Sequence, residues 1–542
     1  GRVSMARLLL LASSAAAWPE TAETSFGKLV GEDSVTVGEH LPTFCQRWLG
    51  VPYAKAPVGE RRFAKPEPWD EHWGVRPAKK HANVCPQGAN KSLVGDEDCL
   101  FLNVWRPKSA QEDLAVMVWI HGGGFISGSG DSAFPGPVPA WLLNTYDGCE
   151  LASRENVMVV SMNYRLSHLG FAAFELEGGA LATNFGFEDQ QEALRWLRAE
   201  VKAFGGSASK ITLFGESAGG DSVLLHGASP LSEGLFRAGI VESGMLMAAS
   251  RQKAVEQTAQ WAQRAGCEER SAMKDCMSKK SLADLAAADD FQFNPYAALP
   301  WSPVIDGFHF QEHPAALFKQ GKVNDVPFML GSNTDDANFF VYLFYNTSLS
   351  KPKYEEFVEG LLEEFPALDS KERARLYELY PPQEEDNRAM AGRMVTDVTF
   401  SCKNQDLAQD ISERREVFLW RFDHRPGCID SLTRLFHLNF PGVFHTLELP
   451  YVFDTPATQL CLWSKEERAL SSRMQKMWAN FAKNMTPEAS GLSDFPSYGT
   501  SKKGLVLSTS DALEADYRKE YCQFWKDAVY DKYGSNQNEI VV

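Results

Sequence analysis

No Cys-x-x-Cys pair occurs in the sequence, and its eleven histidines are scattered. That excludes the common structural zinc modules, whose ligands sit a few residues apart. Basic residues are in deficit: 54 Lys and Arg against 71 Asp and Glu leave a net charge of −17, a balance that repels nucleic-acid phosphate. No internal repeat and no low-complexity linker divides the chain. Beyond the N-terminus, no apolar run has the length or purity of a membrane span.

What remains is a long, core-rich chain. Its 542 residues are 44% hydrophobic and 12% aromatic, ample for a large buried interior. Met5-Ala6-Arg7, the apolar stretch Leu8 to Ala12 and the small residues Ala15 to Ala17 predict a signal peptide over 1–17, with Gly1 to Ser4 upstream of its initiator. One domain over 18–542 and secretion as a soluble protein follow from it. The segment Asn536 to Val542 predicts neither a retention tetrapeptide nor an anchor tail. In an oxidising compartment, ten cysteines imply disulfides. Triplets beginning at Asn90, Asn346 and Asn484 are glycosylation acceptors by pattern, the last weakened by Pro487.

Strand-like runs recur at Leu114 to Ile120, Val157 to Met162, Ile211 to Phe214, Gly239 to Glu242, Val326 to Leu330 and Val417 to Phe422. Between them lie helical spacings. The clearest is Phe187 to Phe204, where Leu194, Leu197, Val201 and Phe204 share a face before Gly205-Gly206. Such alternation predicts an α/β fold with a mostly parallel sheet covered on both faces. The stretches Phe26 to Tyr53 and Leu100 to Trp105 read as antiparallel, so the expected sheet is mixed, in a single domain with long loop excursions.

Two motifs carry chemistry. Gly215-Glu216-Ser217-Ala218-Gly219 follows the apolar run Ile211 to Phe214 and precedes a segment able to form a helix, the layout of a nucleophile elbow. A strand turning sharply into a helix leaves no room for a Cβ two residues either side of the apex. His121-Gly122-Gly123-Gly124-Phe125 follows the strand Leu114 to Ile120. Consecutive glycines there suit backbone N–H donors that hold the oxyanion of acyl transfer, and Gly123, Gly124 and Ala218 are the donors expected.

Longer stretches add a family. Gly95 to Val104, with Glu97-Asp98-Cys99-Leu100-Phe101-Leu102-Asn103, resembles a signature of the carboxylesterase/cholinesterase family, the type-B carboxylesterases. Phe204-Gly205-Gly206 running to Phe214-Gly215-Glu216-Ser217-Ala218-Gly219-Gly220 resembles the family's active-serine signature. Leu49 to Ala54, Asn163-Tyr164-Arg165, Glu242-Ser243-Gly244 and Pro303 to Gly307 agree, and the likeness runs over roughly residues 25 to 530. It implies an α/β-hydrolase fold, a Ser–acid–His triad in that chain order, and a serine esterase needing no metal or organic cofactor.

Carried over residue by residue, the resemblance makes Ser217 the nucleophile and His445, in Gly442-Val443-Phe444-His445, the base; His437 and His424 are alternatives of structural character. The family most often has Glu as the acid, whereas here the position falls on Asp336, one methylene shorter, with Asp335 as a competitor. Glu448, close to His445 in a strand-like stretch, is expected to face elsewhere. The resemblance also pairs Cys85 with Cys99, Cys267 with Cys276 and Cys402 with Cys522. It assigns no partner to Cys45, Cys149, Cys428 or Cys461; a Cys428–Cys461 bridge is one option.

On substrate, cholinesterases present a Trp to the quaternary ammonium by a cation–π contact. The corresponding segment Pro86 to Asp98 has no Trp, Tyr or Phe. Positions resembling the acyl-pocket phenylalanines fall on Ala297 and Leu299, which implies broad or larger-acyl preference for a small-molecule or lipid ester. A shifted loop would instead bring in Phe291, Phe293 or Trp301. Two rival readings stand beside this one. A lipase would act at lipid–water interfaces. A non-catalytic adhesion or binding relative typically lacks the serine or histidine that this sequence keeps.

Overall fold

β-Branched and aromatic runs, buried along their whole length, line up as the centre of an eleven-stranded sheet. The computed structural model describes residues 20–36, 43–88, 92–108, 111–131, 146–290, 301–363, 368–428, 440–455, 462–488 and 494–532. Its main strands are β1 (Glu32–Thr36), β2 (Thr43–Pro52), β3 (Phe101–Pro107), β4 (Leu114–Ile120), β5 (Met158–Met162), β6 (Gly206–Glu216), β7 (Ala238–Glu242), β8 (Phe328–Asn333), β9 (Val417–Phe422), β10 (Lys503–Leu507) and β11 (Ala512–Ala515). Across the sheet they run β11-β10-β9-β8-β7-β6-β4-β5-β3-β2-β1. From β5 to β10 neighbours are parallel, and both edges are antiparallel. A separate three-stranded sheet joins Thr21–Thr24, Gly27–Val30 and Gly74–Pro77.

The helices that matter for the site are α1 (Phe185–Glu200), α2 (Ala218–Ala228), α3 (Asn338–Phe344), α4 (Cys402–Ser412), α5 (Leu449–Phe453), α6 (Lys465–Asn484) and α7 (Tyr498–Ser501). β4 shows why the sheet needs helices on both faces. Val116, Val118 and Ile120 join one core with Leu194 and Leu197 of α1 and Leu224 of α2. Met117 and Trp119, the intervening residues, join a second core with Met474, Trp478 and Phe481 of α6. Side chains of a strand alternate between faces, so an all-apolar strand must be covered twice. The helix expected over Phe187 to Phe204 begins two residues earlier, and its last turn, Val201–Phe204, tightens to a 3₁₀ form before Gly205 takes a left-handed φ of 83°.

Four disulfides are described: Cys45–Cys149, Cys85–Cys99, Cys267–Cys276 and Cys402–Cys522. Cys45–Cys149, which the sequence left without partners, ties β2 to the helix Cys149–Glu155 across 104 residues. Loops of that size restrict the unfolded chain most in the chain-entropy picture. Cys428 is also disulfide-bonded, and its suggested partner Cys461 lies outside the described residues. Among the described residues, no helix is long and apolar enough to cross a membrane.

Candidate active site

The turn from β6 into α2 is set by two close approaches. A Cβ on Gly219 would sit 1.9 Å from the carbonyl oxygen of Ile120, and one on Gly215 would sit 2.6 Å from the carbonyl carbon of Gly219. With no side chain at either position, α2 packs directly on the end of β4. Ser217 at the apex takes φ 58° and ψ −125°, a region non-glycine residues avoid. Its strained backbone is held at both ends: Ser217 N–H donates to the Glu242 carbonyl at 2.9 Å, and Asp221 N–H donates to the Ser217 carbonyl at 2.9 Å.

Beside it runs the glycine loop. A Cβ on Gly122 would lie 3.0 Å from the Cβ of Ser217, so this backbone passes within one side chain of the serine. Gly123 and Gly124 have φ of 101° and 64°, conformations glycine adopts freely. The Gly123 carbonyl accepts from the N–H groups of Ile126 and Ser127, which turns it back into the loop. Burial drives the His121 imidazole pKa down to about 4. In its neutral form, Nδ1 donates to the Gly122 carbonyl at 2.8 Å while the ring stacks on Tyr164 at 4.4 Å.

The acid and the imidazole arrive from two other strand ends. β8 closes at Asn333, whose N–H donates to Asp336 Oδ2 at 2.8 Å; Ser243, just past β7, donates its hydroxyl to the same carboxylate at 3.0 Å. The remaining oxygen, Oδ1, lies 2.8 Å from His445 Nδ1, and Asp336 is fully buried. A backbone bond from His445 N–H to the Asp336 carbonyl at 3.2 Å joins the two loops again. Asp335, the alternative, has a different task. Its carboxylate accepts from Val443 N–H at 2.9 Å, and its own N–H donates to the Val443 carbonyl at 2.9 Å. Gly442 is required there, because a Cβ would fall 2.3 Å from Asp335 Oδ2.

On its other side, His445 Nε2 is 2.8 Å from Glu216 Oε1, the side chain immediately before Ser217. Both atoms are buried, and neither has a hydrogen-bond partner elsewhere among the described residues. Aromatic rings pack on the imidazole: Phe340 of α3 at 4.8 Å and Phe400 at 5.4 Å. Phe400 belongs to a π-helical turn, Thr396–Ser401, that leads into α4. Burial alone would lower the His445 pKa. The Glu216 carboxylate, with Asp336 bonded to Nδ1, outweighs it and raises the imidazole well above its usual value.

Behind Glu216 lie more buried carboxyls. Glu448 accepts from the Asn333 amide at 2.5 Å, and Glu242 accepts from the Trp478 indole N–H at 2.8 Å. Burial, then the neighbouring Glu216 charge, pushes Glu448 up to about 8. Burial, then Glu448, raises Glu242 well above the carboxylate range. Glu448 therefore turns to Asn333 of the acid loop and not to the His445 ring, while the strand-like reading of its stretch is corrected. The stretch is helical, with Glu448 as N-cap of α5 and Pro450 in its first turn. Pro450 was the available signal, since proline favours the first turn of a helix.

His424 bonds to Glu467 at 3.1 Å in the capping box of α6. Trp301 donates to Asp289 at 2.9 Å and packs edge-on against Trp261. Ala297, Leu299, Phe291, Phe293, His437, Asn90 and residues 1–17 lie outside the described residues. Asn346 and Asn484 are exposed. Sequence reasoning gave no role to Ser243, Asn333, Phe340 or Phe400; Ser243 and Asn333 stand at or just past strand ends, where α/β sheets gather their ligand-facing residues. No group of His, Cys, Asp and Glu among the described residues is arranged to hold a metal ion.

Comparison with known proteins shows the family and the fold. The carboxylesterase family profile matches residues 19–525. Mouse cholinesterase is 32% identical over 538 residues, covering 93% of this chain and 86% of its own. The para-nitrobenzyl esterase of Bacillus subtilis is 31% identical over 513 residues, covering 92% and 96%. The rat pyrethroid hydrolase Ces2e is 31% identical over 504 residues, covering 88% and 84%. A solved thermophilic PNB esterase superposes with a TM-score of 0.76 at 30% identity, covering 94% of this chain and all of that one. The sheet and its helices are those of an α/β-hydrolase, and the chain belongs to the carboxylesterase family, as a serine carboxylic-ester hydrolase.

Proposed function

We propose that Ser217 is the nucleophile, His445 its general base and Asp336 the acid that orients the imidazole. One observation carries the reading: a strained serine at a strand end directly follows Glu216, whose carboxylate lies 2.8 Å from an imidazole that is itself held 2.8 Å from a fully buried carboxylate. Ser217 Oγ attacks the ester carbonyl while His445 Nε2 takes its proton. The N–H groups of Gly123, Gly124 and Ala218 hold the oxyanion, the alcohol leaves with the proton, and water repeats the sequence on the acyl-enzyme. Asp336 accepts from Nδ1, which fixes the tautomer and steadies the imidazolium. Ser217→Ala should cut kcat by several orders of magnitude with the thermal unfolding curve unchanged. Full esterase activity in that variant would show that the nucleophile is another residue.

The preferred ester is one of a broad or larger acyl group, not a choline ester. Supporting this, the segment Pro86 to Asp98 offers no aromatic face to a quaternary ammonium. Relatives named for pyrethroid and para-nitrobenzyl esters make aromatic esters natural first substrates. A chain-length series of nitrophenyl esters beside a choline ester tests this; a clear preference for the choline ester would reverse it. The functional domain is taken as 18–542, following a signal peptide over 1–17. Four disulfides and exposed Asn346 and Asn484 fit secretion as a glycoprotein. N-terminal sequencing of the exported protein, with its mass before and after deglycosylation, checks both.

A further inference from the structure

The segment that follows β7, Ser243 to Ala248, is neither helix nor strand, yet it joins two parts of the site. Its first residue, Ser243, donates its hydroxyl to Asp336 at 3.0 Å and its N–H to the Gly331 carbonyl at 2.8 Å. One residue earlier, the Glu242 carbonyl accepts from Ser217 N–H. Ser243 and Leu246 both take left-handed backbone conformations, with φ of 48° and 56°, which cost a non-glycine residue free energy. Such a turn keeps its shape only where its surroundings hold it.

Asp221, in the first turn of α2, supplies the hold. It is fully buried, and its carboxylate accepts from three successive backbone N–H groups. Met245 and Leu246 donate to Oδ1, the latter at 2.6 Å, and Met247 donates more loosely to Oδ2 at 3.4 Å. No backbone carbonyl among the described residues accepts from these three. Leu246 and Met247 are buried, so without the carboxylate their N–H groups would be left unmatched. Helix and turn are also closely packed: a Cβ on Gly220 would sit 2.8 Å from the Glu242 carbonyl oxygen, and one on Gly244 would sit 3.1 Å from the Gly220 carbonyl carbon. Asp221 N–H meanwhile donates to the Ser217 carbonyl. One residue is thus bonded to the backbone of the serine and, through the turn, to the side chain that supports the acid.

We infer that Asp221 is a positioning residue of the esterase: it fixes the turn after β7 so that the Ser243 hydroxyl meets Asp336 in register with Ser217. It acts through Ser243 and not on a reacting atom. Asp221 has this role only if Ser217, His445 and Asp336 are the triad. Ser217→Ala, assayed in parallel, tests that separately: activity retained there would fail the triad, and a triad that stands leaves Asp221 to be judged on its own variants. Burial pushes the Asp221 carboxyl up to about 7 against the pull of its backbone donors, so turnover is measured on the alkaline side of that value. Asp221→Asn keeps the size and puts an NH₂ where one acceptor oxygen stands. Its kcat on a nitrophenyl ester, per folded molecule, should fall about tenfold with KM little changed. Combined with Ser243→Ala, which removes the hydroxyl that Asp221 aligns, the loss should stay near tenfold, whereas independent effects would multiply to about a hundredfold. Hydrogen exchange read by mass spectrometry should quicken in the Asp221→Asn peptide covering 243–248. A merely structural role would lower the unfolding midpoint and leave kcat per folded molecule at the parent value. That result, multiplied losses in the double variant, unchanged exchange over 243–248, or an Asp221→Asn chain that does not fold overturns the inference.

Discussion

The two sides of the His445 ring are built on opposite principles. At Nδ1 the acid arm is saturated: Asp336 accepts from Asn333 N–H, the Ser243 hydroxyl and the imidazole, and Asp335 and Val443 stitch the two loops with a pair of bonds. At Nε2 the surroundings are unsaturated. Glu216 Oε1 faces Nε2, Glu242 Oε2 and Glu448 Oε1 are buried without hydrogen-bond partners, and all three carboxyls hold protons more tightly than usual. A filled network fixes geometry, whereas unmatched carboxyls in low dielectric respond to charge and protonation. The acid side positions the ring, and the cluster sets its proton affinity.

Substitutions that empty the saturated side should do the most harm. Asp336→Asn keeps the shape but lets the ring take the wrong tautomer, so kcat on a nitrophenyl ester should fall about a thousandfold or more. A fall of less than tenfold would pass the role to another carboxylate, Asp335 included. Ser243→Ala removes one of three donors to Asp336; a loss of roughly tenfold in kcat with KM little changed is expected, since the acid stays in place but is held less firmly.

Changes in the cluster should move pH dependence more than rate. His445 must be neutral to act as base, and Glu216 raises its pKa, so the rising limb of kcat/KM lies above the pH of a free imidazole. Glu216→Gln removes that negative neighbour and should shift the limb to lower pH. A limb that stays put would show that Glu216 is not coupled to the base.

The smallest effect on turnover is expected at Glu448, whose carboxyl acts on stability instead. Its native carboxyl titrates near 8 against about 4.3 in an unfolded chain, so the native state keeps a proton that the unfolded state releases between those values. Over that range the parent should lose stability with rising pH relative to Glu448→Gln, and below it the two should run parallel. Unfolding midpoints measured across that range decide it, and a constant difference would place the proton elsewhere in the cluster.

This contrast also explains what could be read from the sequence. Gly215, Gly219 and the loop Gly122 to Gly124 were legible because backbone crowding writes itself as glycine at fixed spacing. Strand β4 was legible to the residue because burial on both faces demands an unbroken apolar run, and β9 was legible although Arg421 interrupts its run. Asp336 was found by counting from a strand end, and the structure sets it rather than Asp335 on the imidazole. The cluster was not legible. Glu216, Glu242 and Glu448 come from three segments, and nothing local distinguishes a buried glutamate from a solvated one. Cys45–Cys149 escaped for the same reason, joining residues 104 apart that only the sheet brings together.

The account rests on a covalent acyl group passing through Ser217. Intact mass and peptide mapping after a rapid acid quench of the enzyme with a nitrophenyl ester test it most directly. The account predicts a mass increase equal to one acyl group, confined to the peptide containing Ser217 and absent from Ser217→Ala. Turnover at the parent rate with no acyl group on that peptide, or with the group on another residue, would contradict it.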